Sequence, residues 1–322
     1  MKKIMTFGRY TKKRFGEKVY KIPISISGFT CPNIDGTVAI GGCTFCENDS
    51  FSPQLQKASP LDKSKKFYLN LQSVENPLLD QQLAQLQWQF QTLSKALKKS
   101  HNAKKFLVYF QSFTNTYAPL ETLKALYEKA LSFENVVGMS IGTRTDSITD
   151  ETLAYLSQLA QKHEVWVEYG VQTLYDATLA KINRGHDSAN IRSTIAKTKA
   201  LGLNVCAHLI YGLPDEDASM MLHSLDETLN MGVDSIKIHP QYVVKKTALA
   251  NSYTKGEFVP ISLELYTQLL IESLKRIPAT LIVQRISAGI ENDSLLAPSW
   301  CYNKNSTMAH LRQALKANNI AY

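Results

Sequence analysis

The stretch Ile22-Pro-Ile-Ser-Ile-Ser27-Gly-Phe-Thr-Cys31-Pro-Asn-Ile-Asp-Gly36-Thr-Val-Ala-Ile-Gly41-Gly42-Cys43-Thr-Phe45-Cys46 places three thiols in one glycine-punctuated loop directly after a run of strand length. Three is the informative number. A structural zinc site closes with four ligands, and no histidine lies near enough in sequence to be the obvious fourth. A [4Fe–4S] cluster held by three thiolates keeps one iron open to a further ligand. Gly36, Gly41 and Gly42 let the backbone wrap closely around such a cluster and turn amide groups toward its sulfides.

Outward from this loop, apolar runs of strand length alternate with segments of helical period. Strands are expected at Ile22–Ser27, Phe106–Gln111, Val136–Gly142, Val165–Gln172, Val205–Tyr211 and Asp234–His239. Helices are expected over 78–99, 119–132, 149–162, 187–201, 217–231 and 262–276. Asp150 and Ser262 stand where helix N-caps are needed, and Gly202 and Gly232 where helices stop. Six βα repeats predict an α/β fold, a partial TIM-like (β/α)6 barrel with a parallel sheet. The chain divides into an N-terminal arm (1–21), the barrel (22–255) and a C-terminal extension (256–322). That extension holds a helix, a strand-like run Leu281–Ile286 and an irregular stretch through Trp300, Cys301 and Tyr302. The segment Phe51–Pro77, rich in Ser, Gln, Lys and Pro, reads as a long loop and candidate lid.

In a parallel barrel one face of each strand packs on helices and the other points inward. Val165, Val167, Tyr169 and Val171 suit the outer face, as do Val205, Ala207 and Leu209, and Ile236 with Ile238. The opposite faces carry Ser140, Glu168, Gln172, His208, Lys237 and His239. A barrel filled only for packing would show Val, Ile and Leu there. The polar set implies a polar ligand inside the barrel, with a self-satisfied hydrogen-bond network as the alternative. Lys237 and His239 are candidate catalytic groups.

The formal charge is +8, and residues 1–21 carry nearly all of it: Lys2, Lys3, Arg9, Lys12, Lys13, Arg14, Lys18 and Lys21 against Glu17 alone. Phe7, Tyr10, Phe15 and Tyr20 are interleaved with these cations. The mixture suits neutralising phosphates while stacking on unpaired bases; the alternative is a solvated tail whose aromatics tuck onto the domain. A chain of 322 residues, 44% apolar, can bury a substantial core, which excludes disorder. No run of eighteen apolar residues is present, and no apolar stretch follows the basic N-terminus. The expectation is a cytoplasmic protein with no membrane span. Five cysteines in such a chain do not form a disulfide framework. Cys206, inside a strand, reads as a small core residue. Cys301, in a loop near the barrel mouth, is a candidate catalytic thiol, weighed against an inert buried thiol.

The C-x11-C-x2-C spacing after a first strand resembles the branch of the radical S-adenosylmethionine (SAM) superfamily that includes the catalytic subunit of Elongator. The stretches Tyr109-Phe-Gln-Ser-Phe-Thr-Asn-Thr-Tyr117-Ala-Pro119, Glu168-Tyr-Gly-Val-Gln172, His208-Leu-Ile-Tyr-Gly-Leu-Pro214 and Ala297-Pro-Ser-Trp-Cys301 extend the similarity to a bacterial group linked to maturing the side chain of tRNA wobble uridine. The resemblance implies a [4Fe–4S] cluster on Cys31, Cys43 and Cys46 that binds SAM and, once reduced by a flavodoxin or ferredoxin-type donor, cleaves it to methionine and a 5′-deoxyadenosyl radical. It implies that Phe45 packs near the adenine. Gln111 and Ser112, where many relatives have two glycines and an acidic residue, meet the SAM amino group. Thr143, Arg144 and Glu168 are candidates for its carboxylate and ribose contacts, and His208 joins the cofactor-binding set. The substrate it implies is tRNA, bound through the basic arm, with no stable protein partner. Two rival readings remain: a radical SAM enzyme acting on a peptide or small metabolite, and a non-enzymatic metal site in an RNA-binding protein.

Overall fold

The computed structural model describes residues 1–47 and 67–322. The candidate lid therefore lies outside the described residues except for 67–77, which form irregular chain. The chain opens with two short strands, β1 (Lys2–Lys3) and β2 (Met5–Thr6), and helix α1 (Phe7–Phe15). Six parallel strands follow, close to where strand-length apolar runs predict them: β3 (Val19–Ile24), β4 (Lys105–Phe110), β5 (Val136–Thr143), β6 (Glu164–Gln172), β7 (Asn204–Tyr211) and β8 (Ser235–Pro240). Their outer faces are closed by α2 (Leu79–His101), α3 (Leu120–Leu131), α4 (Asp150–Ala160), α5 (Asp176–Lys181), α6 (Ser188–Ala200) and α7 (Ala218–Asn230). Val165, Val167, Tyr169 and Val171 are fully buried, as are Ile191 and Ile195 of α6 and Leu225 of α7.

Local chemistry sets the helix ends. Ser262 accepts a hydrogen bond from the Leu265 amide, and Gly202 and Gly232 take left-handed φ near +73° just after α6 and α7. Thr149, not Asp150, caps α4, its hydroxyl accepting from the Thr152 amide. Asp150 becomes the first helical residue, where its charge favours the helix dipole.

The C-terminal extension does more than append to the barrel. After α8 (Ala248–Thr254) and α9 (Leu263–Arg276), strand β10 (Ile282–Arg285) pairs in parallel with β8, and β2 pairs in parallel with β10. The sheet thus has eight parallel strands in the order β2-β10-β8-β7-β6-β5-β4-β3, open between β2 and β3 among the described residues. Strand β9 (Val243–Val244) pairs antiparallel with β11 (Leu295–Ala297), and α10 (Lys304–Ala317) leads to β12 (Ile320–Ala321), which pairs with β1. The two ends of the chain meet beside the barrel.

The N-terminal arm corrects an expectation. Its aromatics are not free to stack on bases, because α1 plugs the bottom of the barrel. Phe7 and Tyr10 meet Trp166 edge-on, with ring centroids 6.1 and 5.8 Å away, and the Tyr10 hydroxyl donates to Glu164 Oε1 at 2.5 Å. Such edge-to-face contacts add about 0.5–1.5 kcal/mol each beyond area burial. Lys21, counted with the arm, lies in β3 and points into the barrel. Lys12, Lys13, Arg14 and Lys18 stay exposed, at the end of β3 opposite the cysteine loop. No helix among the described residues is long and apolar enough to cross a membrane.

Candidate functional site

The cysteine loop leaves the C-terminal end of β3, the end where parallel barrels carry their sites. Short hydrogen bonds fold it: the Ile34 amide donates to the Cys31 carbonyl, Gly42 to Asn33, and Cys46 to Cys43. Gly36, Gly41 and Gly42 all have φ between +76° and +87°. Space is not the reason, since a Cβ on Gly41 would meet nothing within 4 Å; the left-handed backbone is. The loop also docks on the turn after α5. Asn33 Nδ2 donates to the Arg184 carbonyl at 3.0 Å, and a Cβ on Gly185 (φ +78°) would come within 2.7 Å of Asn33 Oδ1.

The sulfurs are surrounded by donors. Arg144 Nη1 lies 3.6 Å from Cys31 Sγ, while Arg184 Nη1 and Asn33 Nδ2 lie 3.7 and 3.6 Å from Cys43 Sγ. Both guanidiniums are fixed from behind. Arg144 pairs bidentately with Asp146, and Arg184 Nη2 donates to the Gly170 carbonyl at 2.6 Å. Burial would raise the Asp146 carboxyl, but hydrogen bonds from Arg144 and His186 hold it well below the usual carboxylate range. The Cys46 thiol is pushed up to about 12 by burial and then by its neighbours Cys43 and Cys31. Three crowded thiols resist ionising together unless a metal centre takes the charge. The donor set thus fits a three-thiolate iron–sulfur cluster, which Cys31, Cys43 and Cys46 would hold: two cations and a carboxamide face the cysteine sulfurs, and the three thiols border a cavity of about 240 Å³ inside the barrel mouth.

Twelve of the thirteen site residues expected from sequence line that cavity: Cys31, Cys43, Cys46, Phe45, Gln111, Ser112, Thr143, Arg144, Glu168, His208, Lys237 and His239. Two of them have partners that bear directly on the roles expected of them. The Arg144 guanidinium is committed to Asp146, Cys31 and the Arg184 carbonyl, so it backs the cysteine loop rather than clamping a SAM carboxylate. Glu168 is fully buried, and its oxygens accept from Lys21 Nζ (2.5 Å), Lys237 Nζ and His208 Nε2 (3.0 Å), while Lys237 also donates to the Tyr109 hydroxyl at 3.2 Å. A carboxylate offers about four acceptor positions, and three charged or imidazole donors already crowd this one, which leaves little room for a ribose hydroxyl. Burial raises this carboxyl, yet the Lys21 and Lys237 ammoniums outweigh it and hold it well below the usual range. The self-satisfied network weighed against a bound ligand is therefore present around Glu168, at the cavity floor.

Cys301 is the exception. It is fully buried in a small apolar cluster with Tyr242, Val244, Ala288 and Ile290, and does not line the cavity. Burial pushes its thiol up to about 12. Its place behind the cavity wall favours the inert reading of this thiol. Cys206 is likewise core, beside Trp166 and Leu107. Its sulfur lies with Glu168 and His208 oxygen and nitrogen atoms within 4.8 Å, but the ammoniums on Glu168 fill the role a metal would take there.

Sequence reasoning missed Asn33, Arg184, Tyr109 and Arg285. Arg184 sits in Asn183-Arg184-Gly185-His186, a turn whose glycine and cation together could have flagged it. Arg285 comes from β10, which was not expected to complete the barrel.

The chain matches a model of the Radical SAM superfamily over residues 40–228 and one of the Radical_SAM C-terminal domain over 233–317. It is 36% identical over 320 residues to Protein YhcC of Escherichia coli (strain K12), spanning 99% of this chain and 94% of that protein. It is 29% identical over 160 residues to a tRNA uridine(34) acetyltransferase of Methanocaldococcus jannaschii, spanning 48% of this chain and 28% of the relative. Among solved structures, the archaeal Elp3 of Methanocaldococcus infernus superposes with a TM-score of 0.59 at 17% identity, over 94% of this chain and 64% of that one, a likeness of fold. With the thiol triad at the barrel mouth, these matches establish that the chain belongs to the radical SAM superfamily and is an enzyme that uses a [4Fe–4S] cluster and SAM.

Proposed function

We propose that this enzyme acts on the carbon-5 side chain of tRNA wobble uridine, converting a carboxymethylaminomethyl group to aminomethyl, in the cytoplasm. The observation that carries the reading is the similarity of about half the chain to an enzyme named for uridine 34 of tRNA. When bound, the cluster and SAM supply a 5′-deoxyadenosyl radical, with the electron delivered by a flavodoxin or ferredoxin-type donor. Cys31, Cys43 and Cys46 hold the cluster, and Arg144, Arg184 and Asn33 moderate the charge on its sulfurs. Phe45, Gln111, Ser112 and Thr143 form the cavity wall that seats SAM. The depth of the cavity inside the barrel would limit the access of water and oxygen to the reacting carbon.

The glycyl carbon gives up a hydrogen atom, the neighbouring N–H its proton to solvent, and the remaining electron passes to a one-electron carrier. The resulting imine hydrolyses to the aminomethyl nucleoside and glyoxylate. Mass spectrometry of wobble nucleosides from a deletion strain tests the reading: carboxymethylaminomethyluridine accumulates at the expense of aminomethyl derivatives, and an unchanged profile rules it out.

One observation favours a smaller substrate. The exposed cations of α1 lie at the far end of the barrel from the mouth, about 20 Å away along six residues of β3. Purified enzyme that cleaves SAM with a peptide or small metabolite, and ignores tRNA, would support that alternative.

A further inference from the structure

The register of β10 against β8 places Arg285 directly beside Lys237, on the same inward face, and both line the cavity. With Lys21 on β3 this puts three cations near the floor against one carboxylate. That carboxylate, Glu168, is engaged by Lys21, Lys237 and His208. Arg285 has no ion-pair partner among the described residues. The Nε2 atom of His239, two residues further along β8, is buried with no hydrogen-bond partner among them either. Like charges opposite one another on neighbouring strands repel, and burial sharpens the cost. A second anion seated over Lys237 and Arg285 would turn that repulsion into a chelate, and would give the His239 ring a partner.

We propose that the cavity floor is a subsite for a carboxylate carried by the substrate, held by Arg285 and Lys237 with His239 Nε2. The assignment rests on the reading above, in which the group entering the barrel is the end of a side chain. Burial, then the nearby Arg285 charge, keeps His239 neutral, so its ring can present an Nε2–H without adding charge. A guanidinium also fits a phosphate. However, a phosphate within an RNA backbone carries a nucleoside on either side, and the layer of Val19, Leu107, Trp166, Cys206 and Ile282 closes the barrel below the floor. Only a terminal group reaches this depth.

The test measures binding to anaerobic, oxidised holoenzyme loaded with SAM, so that turnover does not intervene. The probes are the nucleoside 5-carboxymethylaminomethyluridine, its carboxamide, N-methylglycine and inorganic phosphate. The acid nucleoside is expected to bind wild type about thirtyfold or more tighter than the amide, the loss that follows when a buried charge is left unpaired. Arg285→Gln should erase most of that ratio and Arg285→Lys restore part of it. Equal wild-type affinity for acid and amide overturns the subsite, and needs no variant to fold. If N-methylglycine binds in an Arg285-dependent way while neither nucleoside binds, the subsite stands and the uridine reading fails. Phosphate binding more tightly than N-methylglycine through Arg285 overturns the carboxylate assignment.

Discussion

At Gly185 the backbone, the cysteine loop and the cluster chemistry meet. Its φ of +78° favours glycine, and an added methyl group would press on Asn33 Oδ1 and Val38 Cγ1, at 2.7 and 2.6 Å. Gly185→Ala therefore carries about 1–2 kcal/mol of backbone strain and pushes the loop off the Arg184 turn. The expected outcome is a folded protein that retains well under half the wild-type iron after anaerobic reconstitution; full iron content in that variant would show that the loop does not depend on this docking. His208 makes a second prediction. Burial, then the Lys237 charge, lowers it to about 4, and His239 also sits well below its ordinary value. As pH falls from 6.5 toward 4 the unfolded chain takes up these protons and the folded one does not, so stability declines across that window, by at most about 1.4 kcal/mol per pH unit for each group. Denaturation at pH 7 and pH 5 should show this loss, and a smaller one for His208→Gln. An identical loss in the variant would contradict the account. At this scale the cysteines were legible because spacing alone identifies a three-ligand set. Arg184, which faces Cys43 from 141 positions away, was not, because no sequence period links a turn to the loop it braces.

Among the elements, α1 shows why composition misleads about an arm. Eight cations interleaved with aromatics suit RNA, yet the aromatics are spent on Trp166 and on closing the barrel. Tyr10→Phe removes a hydrogen bond to the Glu164 carboxylate and should cost about 1–3 kcal/mol in urea denaturation; a cost near zero would show that α1 does not anchor the barrel floor. The exposed charges act separately. If RNA touches this face, Lys12→Gln, Lys13→Gln and Arg14→Gln combined lower the slope of log affinity against log salt by about 2–3. An unchanged slope would place the RNA contacts elsewhere. The six barrel strands and the longer helices behind them are readable from apolar periodicity because each buries a face; the six-residue α5 is too short to show a period. Strand β10 was read only as a strand, since its place in the sheet depends on its pairing with β8 and β2.

Taken whole, the molecule is a parallel sheet whose bottom is sealed by apolar side chains and α1, and whose top carries three thiols. Between them lies a floor rich in cations. The alternation of inward residues on β6, β7 and β8 made the polar interior legible, including Glu168, His208, Lys237 and His239. Its partners Lys21 and Arg285 were not legible, because one lies in a segment that reads as an arm and the other in one that reads as an extension. The most direct test is to purify the protein anaerobically, reconstitute iron and sulfide, add dithionite and SAM, and quantify 5′-deoxyadenosine by chromatography. The account predicts a brown protein that releases 5′-deoxyadenosine, and loss of both colour and product when Cys31, Cys43 or Cys46 is replaced by Ala. A colourless, zinc-binding protein that leaves SAM intact would contradict it.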